Sequence, residues 1–248
     1  MPDARPAPPP APPPALALVD VVAGYGGPPV LDGVSLEIGA GELVTVVGPN
    51  GHGKTTLLRA VSGLVALRGG SIALEGRSLA GLAPDAVAAR GVAHVPQGDM
   101  LFPQMSVEEN LRMGAYVERS AAVVAARLEE VYGRLPKLAE RRRQVAATLS
   151  GGERRMAGLG RGLMMGGRVL LIDEPSLGLA PLVIEQIYAV IAGLKASGRS
   201  ILLVEENPAR VTGIADRIHL LDNGRFVWSG LPDVLMKRDE LLSTYLGG

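Results

Sequence analysis

Gly48-Pro49-Asn50-Gly51-His52-Gly53-Lys54-Thr55, followed by Thr56, is the stretch that decides how this chain reads. It fits G-x-x-x-x-G-K-[ST], and its flanks carry as much weight as its letters. The apolar run Leu43–Val47 ends directly before it, and the helical pattern Thr56–Gly63 begins directly after it. A strand, a glycine loop and a helix in that order converge backbone N–H groups on a bound phosphate. The helix N-terminus adds its partial positive charge. In such a loop Lys54 bridges the β- and γ-phosphates of a nucleotide, and the Thr55 hydroxyl binds Mg²⁺. At average composition the pattern arises by chance in about one chain in a hundred of this length, and the flanking strand and helix lower that figure further.

A second stretch completes the chemistry. Val169-Leu170-Leu171-Ile172-Asp173-Glu174 is four apolar residues ending in two carboxylates. A buried strand of this kind delivers Asp173 to the Mg²⁺ shell and leaves Glu174 free to accept a proton from an attacking water. Alone the string is common; beside a phosphate loop it is specific.

Around these strings, short β-type runs lie at Leu16–Val22, Val34–Ile38, Leu43–Val47, Ser71–Leu74, Val92–Val95, Val169–Asp173, Ile201–Val204, Arg217–Leu221 and Phe226–Trp228. Helical patterns separate several of them, most clearly after Lys54 and after Pro181. Near-continuous Val/Ile/Leu strands alternating with helices predict an α/β fold with a buried parallel sheet. The opening strands are joined by turn signals (Tyr25-Gly26-Gly27-Pro28-Pro29) rather than by a helix, which predicts a small antiparallel sheet ahead of the core. Residues 98–160 hold almost no strand signal; Ser106-Val107-Glu108-Glu109 reads as a capping box and Ala121–Tyr132 as a further helix. This segment is expected to be a helical subdomain inserted in a domain of residues 16–248. Residues 1–15 are a Pro/Ala tract, expected to form a disordered tail because proline removes donors and favours extended geometry.

Composition narrows the function classes. The 248 residues carry 25 Lys plus Arg against 25 Asp plus Glu, so the basic surplus of a nucleic-acid binder is missing, and nucleic acid is not an expected partner. There is no cysteine, which excludes disulfides and thiolate metal sites. No apolar run approaches the roughly 18 residues that span a bilayer, and no charged-then-apolar leader stands at the start. Three histidines, scattered at 52, 94 and 219, form no metal triad; His94 and His219 sit on apolar strands and read as core residues.

Leu149-Ser150-Gly151-Gly152-Glu153 lies between the two nucleotide strings and precedes a helical run, another N-terminus suited to an anion. With this string the sequence resembles the ABC ATPase family over residues 16–248. The resemblance implies the ABC ATPase type of P-loop fold, ATP and Mg²⁺ as ligands, and ATP hydrolysis as the activity. It implies that Ser150, Gly151 and Gly152 cap the ATP held by the phosphate loop of a second ATPase subunit, in a heterodimer or a homodimer. Tyr25 matches the aromatic that stacks on adenine. Gln97 matches the glutamine that contacts Mg²⁺ and senses the membrane subunit, and Ser176 to Pro181 stands where the family has its subunit-communicating loop.

Finer strings resemble the second ATPase subunit of branched-chain amino-acid importers: Val61-Ser62-Gly63-Leu64, Val107-Glu108-Glu109-Asn110-Leu111, Pro175-Ser176-Leu177-Gly178-Leu179-Ala180-Pro181 and Tyr245-Leu246-Gly247-Gly248. That likeness implies a peripheral subunit on the cytoplasmic face of the inner membrane, serving two permease subunits and, through them, an external solute-binding protein. Two alternatives stay open: a urea-importer ATPase, and an ATP-dependent clamp with weak hydrolysis at its own site.

Three positions depart from the family pattern. Ala180 replaces an aspartate of the communicating loop, and Arg154 replaces the glutamine after the signature. Glu206 replaces the switch histidine. A carboxylate about 4 Å from the γ-phosphate, at an effective dielectric near 20, costs on the order of 4 kcal/mol. Glu206 is therefore expected to turn away, take up a proton, or slow the site.

Overall fold

Apolar side chains alternate between two cores along the central strands, and this alternation organises the molecule. The computed structural model describes residues 13–246, so most of the Pro/Ala tract and the last two glycines lie outside the described residues. The chain runs β1 (Leu16–Ala23), β2 (Leu31–Ile38), β3 (Leu43–Val47), α1 (Lys54–Val61), β4 (Leu67–Leu74), β5 (Arg77–Ser78), α2 (Pro84–Arg90) and β6 (Val92–Val95). It continues through α3 (Val107–Gly114), α4 (Ala121–Arg134), α5 (Pro136–Glu140), α6 (Gly151–Met164), β7 (Val169–Asp173) and α7 (Pro181–Ala196). It closes with β8 (Ser200–Glu205), β9 (Arg217–Asp222), β10 (Arg225–Gly230), α8 (Pro232–Leu235) and α9 (Asp239–Leu246).

Six strands form the main sheet in the order β10-β9-β3-β8-β7-β6, parallel except for the β9–β10 edge pair. That edge turns through Asn223 and Gly224, both at positive φ, as a two-residue hairpin requires. Along β3, β7 and β8, Leu43, Val47, Leu170, Ile172, Ile201 and Leu203 face one core with α6 and α7. Val44, Val46, Val169, Leu171, Leu202 and Val204 face the other, with α1 and the second sheet. A period of two with both faces apolar is what a covered parallel sheet demands. The expected α/β architecture is borne out.

The second sheet is antiparallel, in the order β2-β1-β4-β5. Only β1 and β2 come from the opening of the chain; β4 and β5 join after the phosphate-loop helix. In β2 only Leu31, Val34, Leu36 and Ile38 are buried, a one-sided pattern that suits a sheet with one covered face. Between β6 and β7 the chain is helical. Ser106 caps α3 through the reciprocal bonds expected of its capping box, its hydroxyl accepting from Glu109 N–H at 3.2 Å and its own N–H donating to Glu109 at 2.7 Å. α6 runs on to Met164, four residues beyond position 160, because Leu159, Leu163 and Met164 pack into the main core. Among the described residues no helix is long and apolar enough to cross a membrane.

Candidate nucleotide site

The candidate residues gather where the parallel strands end. The phosphate loop leaves β3, Gln97 follows β6, Asp173 closes β7 with Glu174 directly after it, and Glu205 closes β8 with Glu206 directly after it. In open α/β sheets this carboxyl edge is where ligands bind.

The loop's shape rests on its glycines. A Cβ on Gly48 would stand 2.2 Å from the Leu221 carbonyl oxygen, so β9 packs directly on the loop backbone. Gly53 caps α1 at φ 112°, a conformation that side chains resist, and no side chain occupies the helix N-terminus. The first turn of α1 therefore keeps its N–H groups for a ligand. A cavity of about 290 Å³ opens there, lined by Asn50, Gly51, Gly53, Lys54, Thr55, Thr56, Gln97 and Glu174.

In and beside it the polar side chains form two bonded groups, Lys54–Glu174–Gln97 and Thr55–Asp173. Lys54, only 3% exposed, lies 3.0 Å from Glu174 and donates to the carbonyls of Gly48 at 2.8 Å and Pro49 at 3.0 Å. Gln97 donates to the other Glu174 oxygen at 2.8 Å. The Thr55 hydroxyl donates to Asp173 at 3.2 Å. Burial raises the Asp173 carboxyl from 3.8 to about 6; the Thr55 bond opposes this, and the Glu174 charge adds to it. Glu174 holds its backbone at φ 43°, a left-handed conformation costing a non-glycine residue about 1–2 kcal/mol.

These groups fit a nucleotide and a hard cation. Thr55, Asp173 and Gln97 offer oxygens that include a single carboxylate, which suits Mg²⁺, an ion bound through one or two carboxylates with phosphate and water completing its shell. Among the described residues no cluster of three or more His, Asp or Glu forms an all-protein metal cage. Tyr25 stands beside α1 with its ring exposed, its hydroxyl accepting from Arg59 at 3.2 Å and from Thr56 at 3.4 Å. His52 faces away from the cavity: its Nδ1 lies 2.8 Å from the Asp222 carboxylate and 3.2 Å from the Asn223 nitrogen, against the β9–β10 turn.

Ser150, Gly151 and Gly152 do not line this cavity. Ser150 caps α6, its hydroxyl accepting from Glu153 N–H at 3.3 Å, and Gly151 and Gly152 open the helix. Arg154 joins the Leu149 carbonyl at 2.7 Å to Asp99 at 2.9 Å, a bridge that the shorter glutamine, with no charge, would not form as an ion pair. Ala180 leaves α7 without a side-chain cap.

Glu206 is exposed and does not line the cavity, so of the three outcomes set by its charge the conformation matches turning away. The buried carboxylate at the end of β8 is its neighbour. Glu205 is 1% exposed and accepts from the Ser176 hydroxyl at 2.6 Å and from Tyr188, with Arg210 at 3.6 Å. Glu205 carries in the sequence the same signal as Asp173, a carboxylate closing an apolar parallel strand.

His219 is buried as its strand suggested, whereas His94 is half-buried and lines a surface cavity beside α2. Each has one partnered nitrogen, His94 with Ser62 at 2.9 Å and His219 with Ser229 at 2.7 Å. In each the other nitrogen is buried without a partner. Burial pushes both imidazoles down to about 4, so they are neutral at pH 7.

Comparison with known proteins gives the same direction. The ABC transporter family model matches residues 31–177. The high-affinity branched-chain amino acid transport ATP-binding protein BraG of Pseudomonas aeruginosa is 40% identical over 90% of this chain and 96% of its own length. The probable branched-chain amino acid transport ATP-binding protein LivF of Archaeoglobus fulgidus is 34% identical over 94% of this chain and 98% of its own. The lipopolysaccharide export system ATP-binding protein LptB of Escherichia coli K12 is 29% identical over 94% of this chain and 97% of its own. Among solved structures, an ATP-binding subunit of an ABC transporter superposes with a TM-score of 0.78 at 29% identity, over 92% of this chain and 94% of that one.

Proposed function

The chain belongs to the ABC transporter family, and from that premise we propose that it is the ATP-hydrolysing subunit of an importer for branched-chain amino acids. ATP is the substrate of the cavity at the head of α1. The observation that carries the reading is the chain Lys54–Glu174–Gln97, buried at its first two members, beside Thr55–Asp173: together a phosphate-binding cation, a base and three Mg²⁺ ligand candidates.

Each residue has a distinct part. The N–H groups of the phosphate loop and of the first turn of α1 bind the phosphates, and Lys54 neutralises them. Tyr25, exposed beside α1, is the stacking surface for adenine. Glu174 accepts the proton of the attacking water, and the bond from Gln97 orients its carboxylate. Thr55, Asp173 and Gln97 would hold Mg²⁺, which when bound spreads the negative charge of the transferring phosphoryl group.

Ser150, Gly151 and Gly152 head α6 away from this cavity; the Ser150 N–H is held by Glu153, and the Ser150 hydroxyl with the N–H groups of Gly151 and Gly152 serves a nucleotide on a second ATPase subunit. This reading carries with it two permeases, a second ATPase subunit in a heterodimer or a homodimer, and a peripheral place on the cytoplasmic membrane face; the likeness to BraG and LivF supports it. The amino acid itself is selected by the permease and an external binding protein, not by this chain.

The test is ATP turnover by the purified chain, alone and with the proteins encoded beside it, together with Glu174→Gln. A general base contributes about 10²–10⁴-fold, so the variant should lose at least a hundredfold in kcat while still binding ATP. Turnover that survives in Glu174→Gln would remove the base assignment. Leucine uptake driven by the reconstituted complex tests the solute, and uptake of urea in its place would overturn that part.

A further inference from the structure

Two loops of the site are held by one side chain that the phosphate chemistry does not use. Arg155 lies on α6, three residues after Gly152, and is only 9% exposed. Its guanidinium donates to the Gly98 carbonyl at 2.9 Å and to the Leu177 carbonyl at 3.2 Å. Gly98 follows Gln97 directly, and Leu177 lies three residues beyond Glu174 in the loop that leaves β7. Two neutral carbonyls do not offset the burial of a cation. Burial holds the Arg155 pKa below the usual arginine value, and the negative charges of Asp99, Asp173, Glu205 and Glu174 offset part of that cost. The planar fork suits this task, because it presents several donors at fixed spacing to two acceptors on different segments.

The Glu174 backbone needs such support. Its left-handed φ of 43° persists only if the neighbouring chain is restrained. On one side Glu174 N–H donates to the Val204 carbonyl at 3.1 Å, and Ser176 is tied to Glu205 at 2.6 Å. On the other, the Leu177 carbonyl has Arg155.

We propose that Arg155 is a positioning residue that couples the signature helix to the hydrolytic base, holding Gln97 and Glu174 in register from α6. The inference rests on the ATPase reading above and deepens it. α6 begins at Ser150–Gly152, the segment that faces a second subunit's nucleotide, so a displacement of α6 passes through one guanidinium to both Gln97 and Glu174. Engagement of one nucleotide is thereby felt by the base that acts on the other.

The experiment compares wild type with Arg155→Lys and Arg155→Met by ATP kinetics and by amide hydrogen exchange without nucleotide. Lysine keeps the charge but concentrates it at one point, and methionine keeps the stem alone, so one variant stands in if the other fails to fold. Exchange within residues 174–180 should rise at least tenfold in both variants while the sheet stays protected. The value of kcat should fall at least tenfold, with KM for ATP within threefold of wild type and methionine worse than lysine. Turnover and loop exchange both within twofold of wild type would overturn the inference. So would faster exchange spread evenly over the chain, because that marks general destabilisation. A wild type that never hydrolyses ATP, with loop exchange still rising in the variants, would leave the clamp standing and remove the hydrolysis reading instead.

Discussion

Replacing Asp173 with asparagine should stabilise the protein in the absence of Mg²⁺ and nucleotide while abolishing its activity. Burial lifts the Asp173 carboxyl from 3.8 to about 6. A shift of about 2 units, at about 1.4 kcal/mol each, corresponds to a cost on the order of 3 kcal/mol for keeping the group charged above pH 6. The folded form holds this proton more tightly than the unfolded chain. The stability it contributes is complete below about 3.8 and lost as pH rises through about 6. Asparagine cannot ionise and still accepts the Thr55 hydroxyl. The variant should therefore exceed wild type by up to about 3 kcal/mol at pH 7.5, or roughly 10 °C in Tm for a chain of this size. The gain should shrink through pH 6 and vanish near pH 4. His94 and His219 titrate alike in both proteins and cancel from the difference. Urea unfolding at a series of pH values, with Mg²⁺ and nucleotide removed, reads the effect. A variant no more stable than wild type at pH 7.5, or a gain independent of pH, would refute the account of Asp173 as a strained buried carboxylate.

Two further outcomes follow from the geometry of the edge. Because Glu206 is exposed and lines no part of the phosphate cavity, Glu206→Gln should leave ATP turnover within twofold of wild type; a large rise would place the carboxylate near the phosphate during hydrolysis. Gly48→Ala puts a methyl 2.2 Å from a backbone oxygen that cannot yield, so the loop must shift. Overpacking of this kind costs about 1–3 kcal/mol, a loss of several degrees in Tm, and ATP affinity measured by titration should weaken at least tenfold.

Much of this molecule was legible in its sequence because the deciding signals are contiguous. The loop Gly48–Thr55, the strand ending at Asp173 and Glu174, the capping box at Ser106 and the run Leu149–Glu153 each lie within a few residues, where local sterics and hydrogen bonding set the conformation. Apolar runs of four to six residues between helical patterns were enough for a parallel sheet. The division of the small antiparallel sheet was not legible, since β4 and β5 return to β1 only after α1, and strand pairing over that distance leaves no local mark. The Asn223-Gly224 hairpin did have a local signal that the strand pattern overshadowed.

The site shows where sequence stops. Motifs named Lys54, Asp173 and Glu174, and the family resemblance named Gln97, but bonds between residues 77 and 118 positions apart, Gln97 to Glu174 and Thr55 to Asp173, exist only because β3, β6 and β7 end on one edge. The burial that lifts Asp173, the exposed position of Glu206 beside a buried Glu205, and the reach of Arg155 to Gly98 and Leu177 are set by what packs around each group. Which residues carry the chemistry was written in short strings, because the phosphate loop and its helix form from adjacent residues. How they are charged, strained and coupled was decided by tertiary packing, because desolvation and long-range hydrogen bonds arise only when distant segments close around the same few atoms.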